Sequence, residues 1–232
     1  MKAKGVLHHH PFCPHSRGAR AILLEAGIEF ELKKHNPWDR VEDFLIINPT
    51  GTVPVFILDG AAIVGVHSIS EFISDYLPRS ERIKSLLPKS WQSHAENRRI
   101  RDWYETKFAN EVSDPIILEH VYRRQMPANL GGGAPETEIL RQAMQNLKPH
   151  LNYLDYLLEK TGWLIDERVT FTDLIVAAQL SCLDYFNLIN WQENERIKEW
   201  YARIKSRPSF QPLLTDRIPG VTPPSYYTQF DF

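Results

Sequence analysis

The chain has 232 residues, enough for one large domain or two small ones, and 43% of them are apolar, an ordinary share for a protein that builds a core. Its 27 Lys and Arg nearly cancel 29 Asp and Glu, so no net field favours nucleic acid or an anionic membrane surface. No apolar run is long enough to span a bilayer. The start, Met1 to Gly5, leads into only Val6 and Leu7 before His8, which is too little for a signal-peptide core. Two cysteines, Cys13 and Cys182, make neither a disulfide framework nor a metal spacing and fit a reducing, cytoplasmic setting.

Strand and helix signals alternate over the first eighty residues. Val6 and Leu7 open a short strand. Ala19, Ile22, Leu23 and Ala26 recur at helical spacing within residues 17 to 27, and Gly27 suits the end of that helix. Ile28, Phe30 and Leu32 alternate with charged residues, as a half-buried strand would. A short helix is expected around residues 39 to 47. Val53 to Leu58 and Ala61 to Val66 flank the turn signal Asp59-Gly60, a hairpin. Ile69, Phe72, Ile73, Tyr76 and Leu77 form a helical stripe. The order β-α-β-α-β-β-α is a thioredoxin-like layout, predicted for residues 1 to 80.

Residues 81 to 90 read as a polar linker, and strand signals then vanish. Stripes at Ile100-Trp103-Tyr104-Phe108-Val112, Leu140 to Leu158, Leu174 to Leu183 and Ile197 to Ile204 predict an all-helical domain over 91 to 232. The fold class is therefore α/β plus all-α. Gly131-Gly132-Gly133 follows no strand and lacks a Lys-Ser/Thr, so it is no phosphate loop. From residue 219 the chain is proline- and aromatic-rich and reads as an irregular tail.

Cys13 stands directly before the first helix, where unpaired N–H groups and the helix dipole favour an anion, so a thiolate with a lowered pKa is expected there. His8-His9-His10 lie on a strand; neighbouring side chains point to opposite faces, so the three cannot ligate one ion, and no metal site is expected.

The run Asn48-Pro49-Thr50-Gly51-Thr52-Val53-Pro54, the Cys13-Pro14-His15-Ser16 turn and the helix carrying Ser68 together resemble the glutathione S-transferase superfamily. Thr170-Phe171-Thr172-Asp173 resembles the capping box that the family places at the start of a core helix, Thr170 capping and Asp173 reaching back. The resemblance implies a cis Pro54, with the Val53 backbone facing glutathione, Ser68 at its γ-glutamyl carboxylate and Trp38 near its glycyl end. It implies a homodimer and, with Cys13 as nucleophile or Ser16 in its place, glutathione-dependent thiol transfer or reduction of a disulfide or small electrophile. One departure bears on this: His67 stands where many members have a glutamate that meets the ammonium group, and a histidine is a poor partner for a cation. Within the superfamily, the start, Trp103 to Phe108 and the end from Ser206 are similar to a bacterial cell-division branch that binds the FtsZ filament without known transferase chemistry. That similarity implies a scaffold, with Tyr226, Tyr227, Phe230, Asp231 and Phe232 as contact residues.

Overall fold

The computed structural model describes residues 5–77 and 80–230. The expectations placed on Asp231 and Phe232 lie outside the described residues. Strands β1 (Gly5–His9), β2 (Phe30–Lys34), β3 (Val55–Leu58) and β4 (Ala61–Val64) form one sheet in the order β2-β1-β3-β4. β1 and β2 are parallel; β1/β3 and β3/β4 are antiparallel. Helix α1 (Pro14–Ala26) makes the βαβ crossover and ends at Gly27, whose φ of 76° is the left-handed conformation a helix stop needs. Helices α2 (Glu42–Ile47) and α3 (Gly65–Tyr76) complete the unit.

Two boundaries differ from the sequence reading. β2 is an edge strand with β1 as its neighbour, so Leu32 is 48% exposed rather than half-buried. The second hairpin strand stops at Val64, because Gly65 adopts φ 85° and turns the chain straight into α3. Ser68 is therefore the fourth residue of α3.

Residues 81 to 90, read as a linker, hold a short helix, α4 (Glu81–Leu86), capped by Ser80, whose Oγ accepts from the Ile83 N–H. Helix α5 (Trp91–Asp102) then runs on through a π-helical stretch (Trp103–Ser113), an α turn (Asp114–Ile117), a second π stretch (Leu118–Tyr122) and a last turn (Arg123–Gln125). Pro115 has no N–H to return to the Glu111 carbonyl, and the Asn146 amide donates to that carbonyl instead, at 3.2 Å. Helices α6 (Thr137–Leu158), α7 (Phe171–Tyr185), α8 (Glu195–Lys205) and α9 (Gln211–Leu214) complete the helical domain.

Every residue of α7 is buried. It packs against α1, α5, the π-helical stretch Trp103–Ser113 and α8. Its start is the expected capping box: Asp173 accepts from the Thr170 N–H at 2.8 Å and also from the Leu164 N–H and the Trp200 indole N–H. The two halves are tied further by Arg207, which donates twice to Glu25. Among the described residues, no helix is long and apolar enough to cross a membrane.

Candidate functional site

The sheet and α1 bring Cys13 and Val53 together. Cys13 caps α1: its sulfur accepts from the Ser16 N–H at 3.4 Å, and it lies 3.6 Å from the Val53 carbonyl. The Val53-Pro54 bond is cis. The expected thiolate does not follow. Cys13 is buried at 6% exposure, and burial, reinforced by nearby Asp114, outweighs the Ser16 hydrogen bonds and pushes the thiol pKa up. The helix N-terminus favours the thiolate and burial opposes it, and here Cys13 packs in a cluster with Phe44, Val53 and Val55. Ser16 is fully buried, with its hydroxyl accepting from the His10 N–H at 3.4 Å, so it ties β1 to α1 and has no open hydroxyl.

Between the two domains lies a cleft of about 460 Å³. Its sheet side is Cys13, Thr52, Val53, Pro54 and His67; its helical side is Glu105, Thr106, Asp114 and Tyr122. Of the seven expected catalytic and binding residues, Cys13, Val53, Pro54 and His67 thus share one cleft. Ser68 is exposed and is not part of its lining. Trp38 is not part of the lining either; its ring lies 5.3 Å from that of Tyr122, which is. His67 has a lowered pKa, from partial burial and then from Arg101, so it is neutral at pH 7 and offers no counter-charge to an ammonium group.

Sequence reasoning missed the helical side of the cleft. His15 lies 3.9 Å from Asp114. Burial alone would lower the His15 pKa, but the Asp114 carboxylate overrides it and the value is raised. Glu105 is pushed up to about 7 by burial. No local signal marked Glu105, which stands in the polar run Glu105-Thr106-Lys107 beside the apolar stripe.

The tail is largely built into the body. Tyr227 is fully buried, and its hydroxyl accepts from Arg17 at 2.8 Å. This corrects its assignment as a contact residue: a side chain that completes the hydrogen bonds of a buried guanidinium cannot also face a partner. Tyr226 is half-buried and donates to Asn187 at 2.6 Å, while Phe230 is 43% exposed.

Residues 7–79 match the family model of the glutathione S-transferase N-terminal domain, and residues 135–217 that of the C-terminal domain. The chain belongs to the glutathione S-transferase family. It is 34% identical to FtsZ-localized protein A of Caulobacter vibrioides over 232 residues, the whole of both chains. Among solved structures it is similar to a glutathione S-transferase from Sinorhizobium meliloti, with 41% identity and a TM-score of 0.94 over 99% of this chain and 100% of that one. It is also similar to FzlA from C. crescentus, with 34% identity and a TM-score of 0.88 over 99% and 100%. The family uses glutathione as co-substrate. The residues here fit it in part: the Val53-Pro54 backbone borders the cleft, but position 67 carries a neutral imidazole and Cys13 a buried thiol.

Proposed function

We propose that this chain is a non-enzymatic binding protein of the FtsZ filament in bacterial cell division, with the transferase fold reused as a scaffold. The observation that carries this reading is the likeness to FtsZ-localized protein A, which runs over the whole of both chains, tail included. The raised Cys13 pKa and the neutral His67 support it, because a scaffold needs neither a thiolate nor a grip on the γ-glutamyl ammonium. Phe230 is the exposed aromatic of the described tail and, with Asp231 and Phe232, forms the contact end in this reading. A two-fold dimer, as is usual in the family, would present two such ends and bridge filaments by avidity.

The test is co-sedimentation with GTP-assembled FtsZ beside calorimetry with millimolar glutathione. Pelleting without glutathione heat is the expected pair, and a chain that stays in the supernatant sinks the reading. Tail dependence is tested by stopping the chain after Thr228, which removes the contact end and leaves Tyr227 in place.

A second reading, glutathione-dependent thiol transfer, rests on Cys13 at the N-terminus of α1, beside Val53 in the cleft. Transfer activity that Cys13→Ala abolishes would favour it over the scaffold.

A further inference from the structure

The apolar stripe of α6 is left partly uncovered at its start. Leu147, Leu151, Leu154 and Leu158 are buried, but Leu140 is half-buried and Met144 is 36% exposed. Both side a groove of about 310 Å³ between α6 and the helix that continues α5. Ile116 and Leu188 complete its apolar lining, and His120, Thr137 and Arg141 are its polar residues. Small-ligand sites run from about 300 to 1,000 Å³ and pair an apolar wall with a few polar groups, which is the make-up of this groove. It is separate from the interdomain cleft. Asp114 and Tyr122 line the cleft, Ile116 and His120 line the groove, and a step of two residues along a helix is about half a turn.

The polar end of the groove carries cations. The His120 ring stacks on Phe186, with centroids 4.7 Å apart and planes at 20°. Burial and then Arg124 lower the His120 pKa, so the ring is neutral at pH 7 and can still donate one N–H. Arg124, one turn beyond His120, is exposed and has no ion-pair partner among the described residues. Arg141 donates Nε and Nη2 to Glu138, which leaves Nη1 without a partner among the described residues. The nearby carboxylates do not cancel this charge. Glu119 is fully buried and accepts from the Glu136 N–H beside Arg123, and Glu136 itself holds Arg123. Glu138 is 74% exposed, and a surface pair of that kind is easily exchanged.

We propose that this groove binds a medium-chain aliphatic carboxylate, its chain on Ile116, Leu140, Met144 and Leu188 and its carboxylate at Arg141 and Arg124. The chain covers the exposed part of Met144, and the carboxylate takes the open donors of the two guanidinium groups. An alkylammonium would meet two like charges, a neutral alcohol would leave the guanidinium donors to water, and a short acid would leave the apolar wall bare. The site goes beyond filament binding and does not depend on it, since it lies neither in the cleft nor at the end of the tail.

The test is calorimetric titration of the full-length chain with octanoate, octan-1-ol, octylammonium and acetate, and with octanoate again in millimolar glutathione. Octanoate is expected to bind about tenfold more tightly than the alcohol or the ammonium, since its charged hydrogen bonds are the difference. Acetate should give no heat, and glutathione should leave the octanoate affinity unchanged. A chain with both Arg124→Gln and Arg141→Gln should bind octanoate about tenfold more weakly. Met144→Glu, which sets a carboxylate on the apolar wall, should abolish binding. Lys160→Gln removes a cation just past the far end of α6 and should change nothing. Thermal melting of each variant controls for folding. A second measurement locates the ligand. The chain has three methionines, Met1, Met126 and Met144, so methyl-labelled methionine gives a spectrum in which Met144 is assigned by its loss in Met144→Leu. That signal should move as octanoate is added. Absence of octanoate binding, equal affinity for octanoate and octanol, parent-like binding by the double arginine variant, displacement by glutathione, or a Met144 signal indifferent to octanoate overturns the proposal.

Discussion

Tyr227 is expected to hold the tail to the body, and its removal should be felt across the domain boundary. Its hydroxyl accepts from Arg17 Nη2 at 2.8 Å, and its ring meets Tyr185 edge-on at 5.2 Å. Arg17, fully buried in α1, also donates to Ser181 of α7 at 2.8 Å, to the Leu213 carbonyl at 2.9 Å, and to the Pro11 carbonyl and Asp216 at 3.2 Å each. Tyr227→Phe deletes one hydrogen bond to a charged group, an effect of about 1.5–3 kcal/mol. Because Arg17 keeps its other acceptors, the lower end, about 1.5 kcal/mol, is expected. Tyr227→Ala also opens an aromatic-sized cavity, and about 3–5 kcal/mol is lost for such truncations. A protein of ordinary stability has about 5–15 kcal/mol in all, so the alanine variant should sit close to unfolding. At about 2–4 °C per kcal/mol for a chain of this size, Tyr227→Phe should lower Tm by about 3–6 °C. Urea denaturation followed by tryptophan fluorescence reads both variants. A Tyr227→Phe protein within about 0.5 kcal/mol of the parent would refute the reasoning, since that is the scatter of an uninvolved surface substitution. The consequence for filament assays is direct: a deletion of residues 225–232 removes Tyr227 and confounds loss of contact with loss of fold.

Three further outcomes are expected. Asp173→Ala leaves the Leu164 and Thr170 N–H groups and the Trp200 indole N–H without their acceptor; at about 1–3 kcal/mol for each orphaned donor, with partial relaxation, chemical denaturation should show a loss of about 4 kcal/mol. Glu105 has a folded pKa of about 7 against an ordinary 4.5, raised by burial, so its contribution is fully present below about pH 4.5 and is lost as pH rises through 7. Glu105→Gln should therefore become more stable than the parent toward pH 8, by up to about 3 kcal/mol, since each pKa unit corresponds to about 1.36 kcal/mol, and a stability difference that does not change between about pH 5 and pH 8 would contradict this. Alkylation of Cys13 by iodoacetamide should be slower at about pH 7.5 than that of free glutathione, with a rate still climbing above about pH 9; a fast reaction levelling off near pH 7 would mean that a thiolate exists after all.

The order of elements in the first eighty residues was legible because periodicity is local. An alternation of two or a stripe of 3.6 depends only on near neighbours, and Gly27 and Asp59-Gly60 mark their own turns. The capping box at Thr170 and Asp173 was legible for the same reason, since its two partners are three residues apart. The chain also carried its family in its motifs, from Cys13 and Val53-Pro54 to the pattern of the tail. What local pattern could not give was the environment of each group. Position before a helix argued for a Cys13 thiolate, yet the sulfur's pKa is set by how much water the neighbouring chain excludes, and Phe44, Val53 and Val55 come from distant segments. Tyr227 looked like a free aromatic because its partner Arg17 lies 210 residues earlier. Glu105 carried no reading in the sequence, and only the packed structure shows that its Oε1 is shut away from water. Burial and long-range pairing are properties of the closed structure, because desolvation and Coulomb energy depend on distance in space, and the sequence orders residues only along the chain.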